Sequence, residues 1–180
     1  LAHAAEAVAL FRKVGDDGGV AISLEACGWA ALALAEPAVA EQAFRESVVI
    51  FDRVGSTRHT ARSALGLAAS LVASQRDEHG VSLLAAVASL REEFGLEFGD
   101  ETEEQAHDQA LADARASLSE EPFAQAWARG ETMTPADIVA FAQAEPRAEL
   151  LRSIGSGGSP WSDRGRPCDG RVCPRHGRPP

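Results

Sequence analysis

The phrase IFDRVG at 50–55 has a near copy, LFRKVG, at 10–15 and a weaker one, LREEFG, at 90–95. Nothing else in the chain restricts its fold so strongly. Leu10, Ile50 and Leu90 align, as do Val14, Val54 and Phe94, and then Gly15, Gly55 and Gly95, so one unit recurs every forty residues. Self-similarity at such a spacing marks a repeat architecture, in which each unit buries its apolar face against its neighbours. Upstream of the glycines the apolar residues return with helical period. In the middle copy Ala43, Phe44, Ser47, Val48 and Phe51 share a face. Each glycine stands where a helix C-terminus takes a residue tolerant of positive φ.

Between successive glycines there is room for two helices. Residues 18–35 form a first one, with an apolar face expected through Ile22, Ala26, Trp29 and Ala33. Glu36-Pro37 ends it, because proline cannot continue a helix interior. Residues 38–54 form the second, and the next copy gives 57–75 and 79–94, joined at QRDEHG. A third copy is looser. Its first helix, 102–118, opens with the capping-box spacing Thr102…Gln105, and a shorter partner starts at Ser119-Glu120-Glu121-Pro122 and ends at Gly130. Thr134-Pro135-Ala136-Asp137 begins a capping helix over about 134–145.

Eight helices result, the first being the second half of a copy that lies upstream. No strand pattern competes. The expected fold is all-α: antiparallel helix pairs over 1–149 stacked into a right-handed superhelix. Small residues at equivalent positions, Gly28 with Ala68 and Ala40 with Gly80, let the helix axes approach closely. Asp108 breaks that rule in the third copy, which suggests a cap.

The 45% hydrophobic and 24% charged content is that of a soluble globular protein. No apolar run reaches the ~18 residues of a membrane helix, and no signal peptide is visible. The chain opens without Met and already inside a helical pattern, so it is expected to be a piece of a longer protein. Three Cys imply no disulfide framework, and a reducing cytoplasm is the expected compartment. The net charge of −10 is uneven: residues 1–150 carry −14, while the last thirty carry six Arg against Asp163 and Asp169. An acidic body of that size repels phosphate backbones, which makes nucleic acid an unsuitable partner for it.

Chemistry-bearing motifs are scarce. The run Val14-Gly15-Asp16-Asp17-Gly18-Gly19 follows a helix, lacks a Lys-Ser/Thr and puts carboxylates where phosphate would sit, so it reads as a turn. It also lacks the further oxygen ligands of a calcium loop. His3, His59, His79, His107 and His176 are scattered, with His59 and His79 expected as solvated residues at helix ends. Adjacent carboxylates such as Glu92-Glu93, Glu103-Glu104 and Glu120-Glu121 splay to different helix azimuths. No catalytic residue, cofactor or metal is assigned, and the chain is read as non-enzymatic.

Residues 150–180 do not match the body. Beyond Leu151 they hold no Ala, Glu or Lys, but six Gly and five Pro, which predicts a disordered tail. Cys168-x4-Cys173-x2-His176 supplies three of the four ligands of a structural zinc site. The six Arg would suit a basic arm for nucleic acid, but only Trp161 offers a base a stacking partner. High-GC DNA read out of frame also yields runs of Arg, Gly and Pro, so a frameshift is the third explanation.

Cys27-Gly28, Ala40, Phe44 and Ser47 fall at the small and large positions of the tetratricopeptide motif, which the repeat resembles. SLSEEPFAQAWARGETMTPADIVAFA at 117–142, after LLAAVASLREEFG at 83–95, is similar to the C-terminal helical region of actinobacterial signal-transduction ATPases with LuxR-type DNA-binding domains. Glu120, Glu121, Phe123, Ala124, Ala126, Trp127, Gly130 and Met133 carry that likeness. It implies a protein- or ligand-sensing helical arm, without the ATPase and DNA-binding domains, whose partner is a protein, a peptide or the upstream nucleotide-binding domain. A free-standing scaffold is the alternative. In a tetratricopeptide-like array the first helix of each pair lines a groove, which would place Glu25, Trp29, Arg62 and Leu65 there. Trp29 packed between repeats is the competing expectation, and Arg58 and Arg62 are expected to be solvated.

Overall fold

A computed structural model describes residues 1–97 and 99–144. Among them there are eight α-helices and no strand: α1 (Ala2–Val14), α2 (Asp17–Ala33), α3 (Pro37–Arg53), α4 (Thr57–Ala73), α5 (Asp77–Phe94), α6 (Glu101–Ser117), α7 (Glu120–Glu131) and α8 (Pro135–Gln143). The expected bounds agree to within about two residues. The tail at 150–180, with its disorder, zinc and frameshift readings, lies outside the described residues.

The turns explain the regularity. Gly15, Ala35, Gly55, Gln75 and Gly95 all have φ between +55° and +74°, one every twenty residues. At each the chain closes the helix with the same pair of hydrogen bonds. Around Gly55 its own N–H donates to Asp52 O at 2.9 Å, and the Ser56 N–H donates to Phe51 O at 2.9 Å. Around Gln75 the bonds run to Val72 O at 2.8 Å and, from the Arg76 N–H, to Leu71 O at 2.9 Å. This Schellman closure satisfies carbonyls that a helix end would otherwise leave without partners. The three glycines are the turns legible as a forty-residue repeat; Ala35 and Gln75 make the same turn without its glycine.

Helices α1 to α5 each pack on the next, with α2 also touching α4. Phe44 of α3, fully buried, is wedged between α2 and α4. A Cβ at Gly28 would lie 2.6 Å from its ring, and one at Gly66 would lie 2.3 Å away. Trp29 closes the ring's other side edge-on, centroids 5.1 Å apart. Gly80 has the same role at the start of α5, where a Cβ would meet Val72 Cγ2 at 2.5 Å.

Several local expectations are corrected. In α2 the buried residues are Val20, Ala21, Ser23, Leu24, Glu25, Cys27, Gly28 and Ala31, whereas Ile22 is 55% exposed and Ala26 and Ala33 face solvent. The helix is apolar almost all round, so periodicity carried no information about which face meets α1 and α3. α6 is capped not by Thr102 but by Asp100, whose Oδ1 accepts the Glu103 N–H at 3.1 Å. QRDEHG is not a linker throughout, since α5 begins at Asp77 with two acids in its first turn, favoured by the helix dipole. Gly130 stands one residue before the end of α7.

Beyond α5 the order changes. α6 lies mainly on α4 and α7 on α5, while α6 and α7 hardly touch each other. Asp108 gives the reason. It occupies the position of Gly28 and Ala68, where a hairpin seam needs a small residue, and its side chain is 73% exposed instead. A buried, unpaired carboxylate would cost several kcal/mol, so the third pair splays.

α8 returns to α3. Its start is the expected one: Thr134 Oγ1 accepts the Asp137 N–H at 3.2 Å, and Asp137 Oδ2 accepts the Thr134 N–H at 2.8 Å. The Thr134 hydroxyl, which donates to Asp137 Oδ2 at 2.6 Å, and after it the Thr134 N–H hold the Asp137 carboxyl below its ordinary value. At the other end Arg45 Nη1 donates to Phe141 O at 2.7 Å, Ala142 O at 3.2 Å and Ala144 O at 3.0 Å. A guanidinium there opposes the negative end of the helix dipole. Arg45 is itself held by the buried Glu41, 2.8 Å away, whose other oxygen accepts from Arg76.

Two stability outcomes follow. Gly66→Ala gains about 1 kcal/mol of helix propensity but forces the added methyl into the Phe44 ring, an overpacking cost of about 1–3 kcal/mol. Urea titration is expected to show net loss, largely relieved by Phe44→Leu in the double variant; additive effects would place the strain elsewhere. At the turns, Gly55→Ala is expected to cost about 1 kcal/mol, and Ala35→Gly to gain up to that much, since alanine bears the left-handed penalty that glycine escapes.

Candidate functional site

Three of the four residues assigned to a groove do come together, but as a closed polar seam. Glu25 of α2 is buried, and its Oε2 accepts a 2.9 Å hydrogen bond from Ser63 Oγ of α4. His59 Nδ1 lies 3.5 Å from that oxygen, and Arg62 Nε 3.5 Å from Glu25 Oε1. Arg62 then reaches α6, with Nε 3.0 Å from Glu103 Oε1 and Nη2 donating to Asp100 Oδ2 at 3.1 Å. It is therefore not a solvated arginine; it joins three helices. Glu103 is buried too and accepts the Gly99 N–H at 2.9 Å.

Trp29 is half-buried, between Phe44 and Arg62, whose guanidinium carbon lies 5.8 Å from the indole centroid. Its Nε1 is buried without an acceptor among the described residues. Leu65 is 1% exposed and belongs to the core, so it offers no surface to a ligand. His59 stands in the first turn of α4, the helix end expected, but it is only partly exposed and stacks on Phe51 with centroids 4.7 Å apart.

Burial pushes the Glu25 carboxyl above its ordinary value, opposed by the Ser63 hydroxyl, Arg62 and His59. Burial likewise pushes the Cys27 thiol up, which keeps it protonated and unreactive. Among the described residues no group of three or more His, Cys, Asp or Glu is placed to hold a metal ion, and no helix is long and apolar enough to cross a membrane.

The open site lies where the third pair splays. A cleft of about 620 Å³ is lined by Arg115 and Leu118 from the end of α6 and by Glu120, Phe123, Ala124, Trp127, Ala128 and Glu131 of α7. The Phe123 and Trp127 rings are parallel to within 14°, centroids 6.0 Å apart. Arg115 stands over Phe123 at 5.2 Å, and Trp127 Nε1 donates to Glu131 Oε1 at 3.0 Å. The opposite face of α7 is made of small residues and pressed to α5. A Cβ on Gly130 would come 2.0 Å from Ser82 O, and Ser82 Oγ donates to Ala126 O at 2.9 Å. The spacing of Glu120, Phe123, Ala124, Trp127, Ala128 and Glu131 is that of one helix face and was legible in the sequence. What the sequence did not show is that this face, and not the Ala126–Gly130 face, is left open.

No protein-family model, curated protein or solved structure matches this chain.

The raised Glu25 value sets a pH dependence. The folded state holds that proton more tightly than the unfolded chain. Its contribution is present below the ordinary value of 4.5 and lost as pH rises through the raised folded value. Glu25→Gln keeps an uncharged group beside Ser63 at every pH. Unfolding free energies of variant and parent, compared at about pH 4 and about pH 8, are expected to shift in the variant's favour as pH rises. A difference that does not move with pH would mean that Glu25 ionises as readily in the fold as in the unfolded chain.

Proposed function

We propose that the described residues form a non-enzymatic recognition arm, built as a tetratricopeptide-like superhelix and working in the cytoplasm as part of an ATP-dependent transcriptional regulator. The observation that carries the recognition role is the two-faced packing of α7. It presses Ala126 and Gly130 against α5 and leaves Phe123 and Trp127, packed on the core at one side, partly exposed on the cleft. A helix that needed only to be stable would turn its aromatics inward, since each buries far more apolar area than alanine. Tryptophan and arginine, here Trp127 and Arg115, are enriched among interface hot spots.

The regulator context rests on the likeness at 83–95 and 117–142. The cleft-lining Phe123, Ala124 and Trp127 belong to that same phrase. A partner seated in the cleft shifts an attached switch domain only by binding its two states unequally. A scaffold with no switch domain is the second reading; it requires the cleft but not the rest.

Genomic DNA sequenced for several hundred bases on each side separates the two. The expected result is a nucleotide-binding domain encoded upstream and, near codon 150, a one-base change of frame that restores a helix-turn-helix. A clean frame with neither domain overturns the regulator context and leaves the scaffold.

A further inference from the structure

Resting on the recognition reading, we propose that the α6–α7 cleft takes a basic amphipathic helix of a partner protein. Its apolar stripe would lie on Phe123 and Trp127, and its cations against the carboxylates around them. Geometry supplies the first half of the argument. α6 is held by α4 and α7 by α5, so the two leave an open trough between them rather than closing as a hairpin. The lining of α7 repeats at i, i+3, i+4, i+7 and i+8, the spacing with which a helix-in-groove partner presents its own anchors.

Charge supplies the second half. Residues 99–144 hold ten carboxylates and two arginines, and with Arg62 of α4, which pairs with Asp100 and Glu103, the net is seven negative charges. Of the arginines, Arg129 is paired with Glu78 at 3.1 Å and Arg115 is laid over Phe123. Glu120 and Glu131 stand at the two ends of the aromatic stripe. A basic helix meets opposite charge at both ends, which favours encounter and excludes acidic competitors. A second copy of the chain would bring an equally acidic face, and nucleic acid would bring phosphates; both juxtapose like charges.

Fluorescence anisotropy with a labelled Leu/Lys amphipathic helical peptide and the full chain tests this, with the Leu/Glu version of the peptide as counterpart. The Leu/Lys peptide is expected to bind and the Leu/Glu peptide not. Binding is expected to weaken at least ~10-fold in Glu120→Lys/Glu131→Lys. A similar loss is expected in Ala124→Gln/Ala128→Gln, which fills the cleft without changing charge. Both variants alter exposed helix positions, and circular dichroism checks that each remains helical.

Binding unchanged by Ala124→Gln/Ala128→Gln would mean that the peptide sits elsewhere on the acidic surface, and overturns the site. Equal binding of both peptides, blocked by that variant, would keep the cleft as a recognition site but overturn its cationic partner. Sedimentation showing a dimer that the variant dissociates would assign the cleft to a second copy, which also overturns the proposal. Binding of neither peptide would reject the basic helix and leave the recognition reading to be judged on other ligands.

Discussion

The rest of the stack depends on the contact between the Phe44 ring and two glycines. α2, α3 and α4 converge at one point because Gly28 and Gly66 present no side chain there, and the ring fills the space their missing methyl groups leave. With the ring centred, Trp29 has a wall to pack against, and Ala40 and Val48 on the same helix fall into the core on either side. Neither glycine is needed for its backbone conformation; each is needed for what it omits. A larger residue at either site would push a helix outward and loosen every contact made further along.

That arrangement was partly readable. Phe44 and its face could be placed because α3 has polar residues opposite, so apolar spacing marks one side. α2 gave no such contrast, and Ile22 was assigned inward although it faces solvent. The glycines at 15, 55 and 95 announced their turns, whereas Ala35 and Gln75 adopt the same conformation with no local signal. Their geometry is imposed by the packed helices on either side. The splayed third pair was foreshadowed by Asp108, but only as an irregularity; where α6 and α7 went instead depends on long-range contacts that no short spacing encodes.

Charge inside the stack has a consistent use. Glu25, Glu41 and Glu103 are all buried, and each meets an arginine from another helix or another turn. Such pairs add little net stability over well-packed apolar groups, but removing one member leaves the other buried and uncompensated. They therefore act more on which helix faces which than on how firmly they hold. Arg62 ties α2 and α4 to the start of α6, and Arg45 ties α3 to the end of α8. Glu25, Trp29 and Arg62, expected on a groove, meet at one seam, while Leu65 lies in the core. That they face one another instead of solvent follows from a pairing preference that single residues do not reveal.

The twenty-residue beat of left-handed turns also constrains how such a chain can grow or shrink. Each beat reverses the direction of the chain, so adding or removing one beat would invert every helix that follows and present its solvent side to the core. Adding or removing two restores direction and face together. A gene encoding this stack can thus change length by whole pairs without rewriting the remainder, and single helices are admissible only at its ends. α8, packed back across α3 after the regular order has broken down, stands outside that pairing.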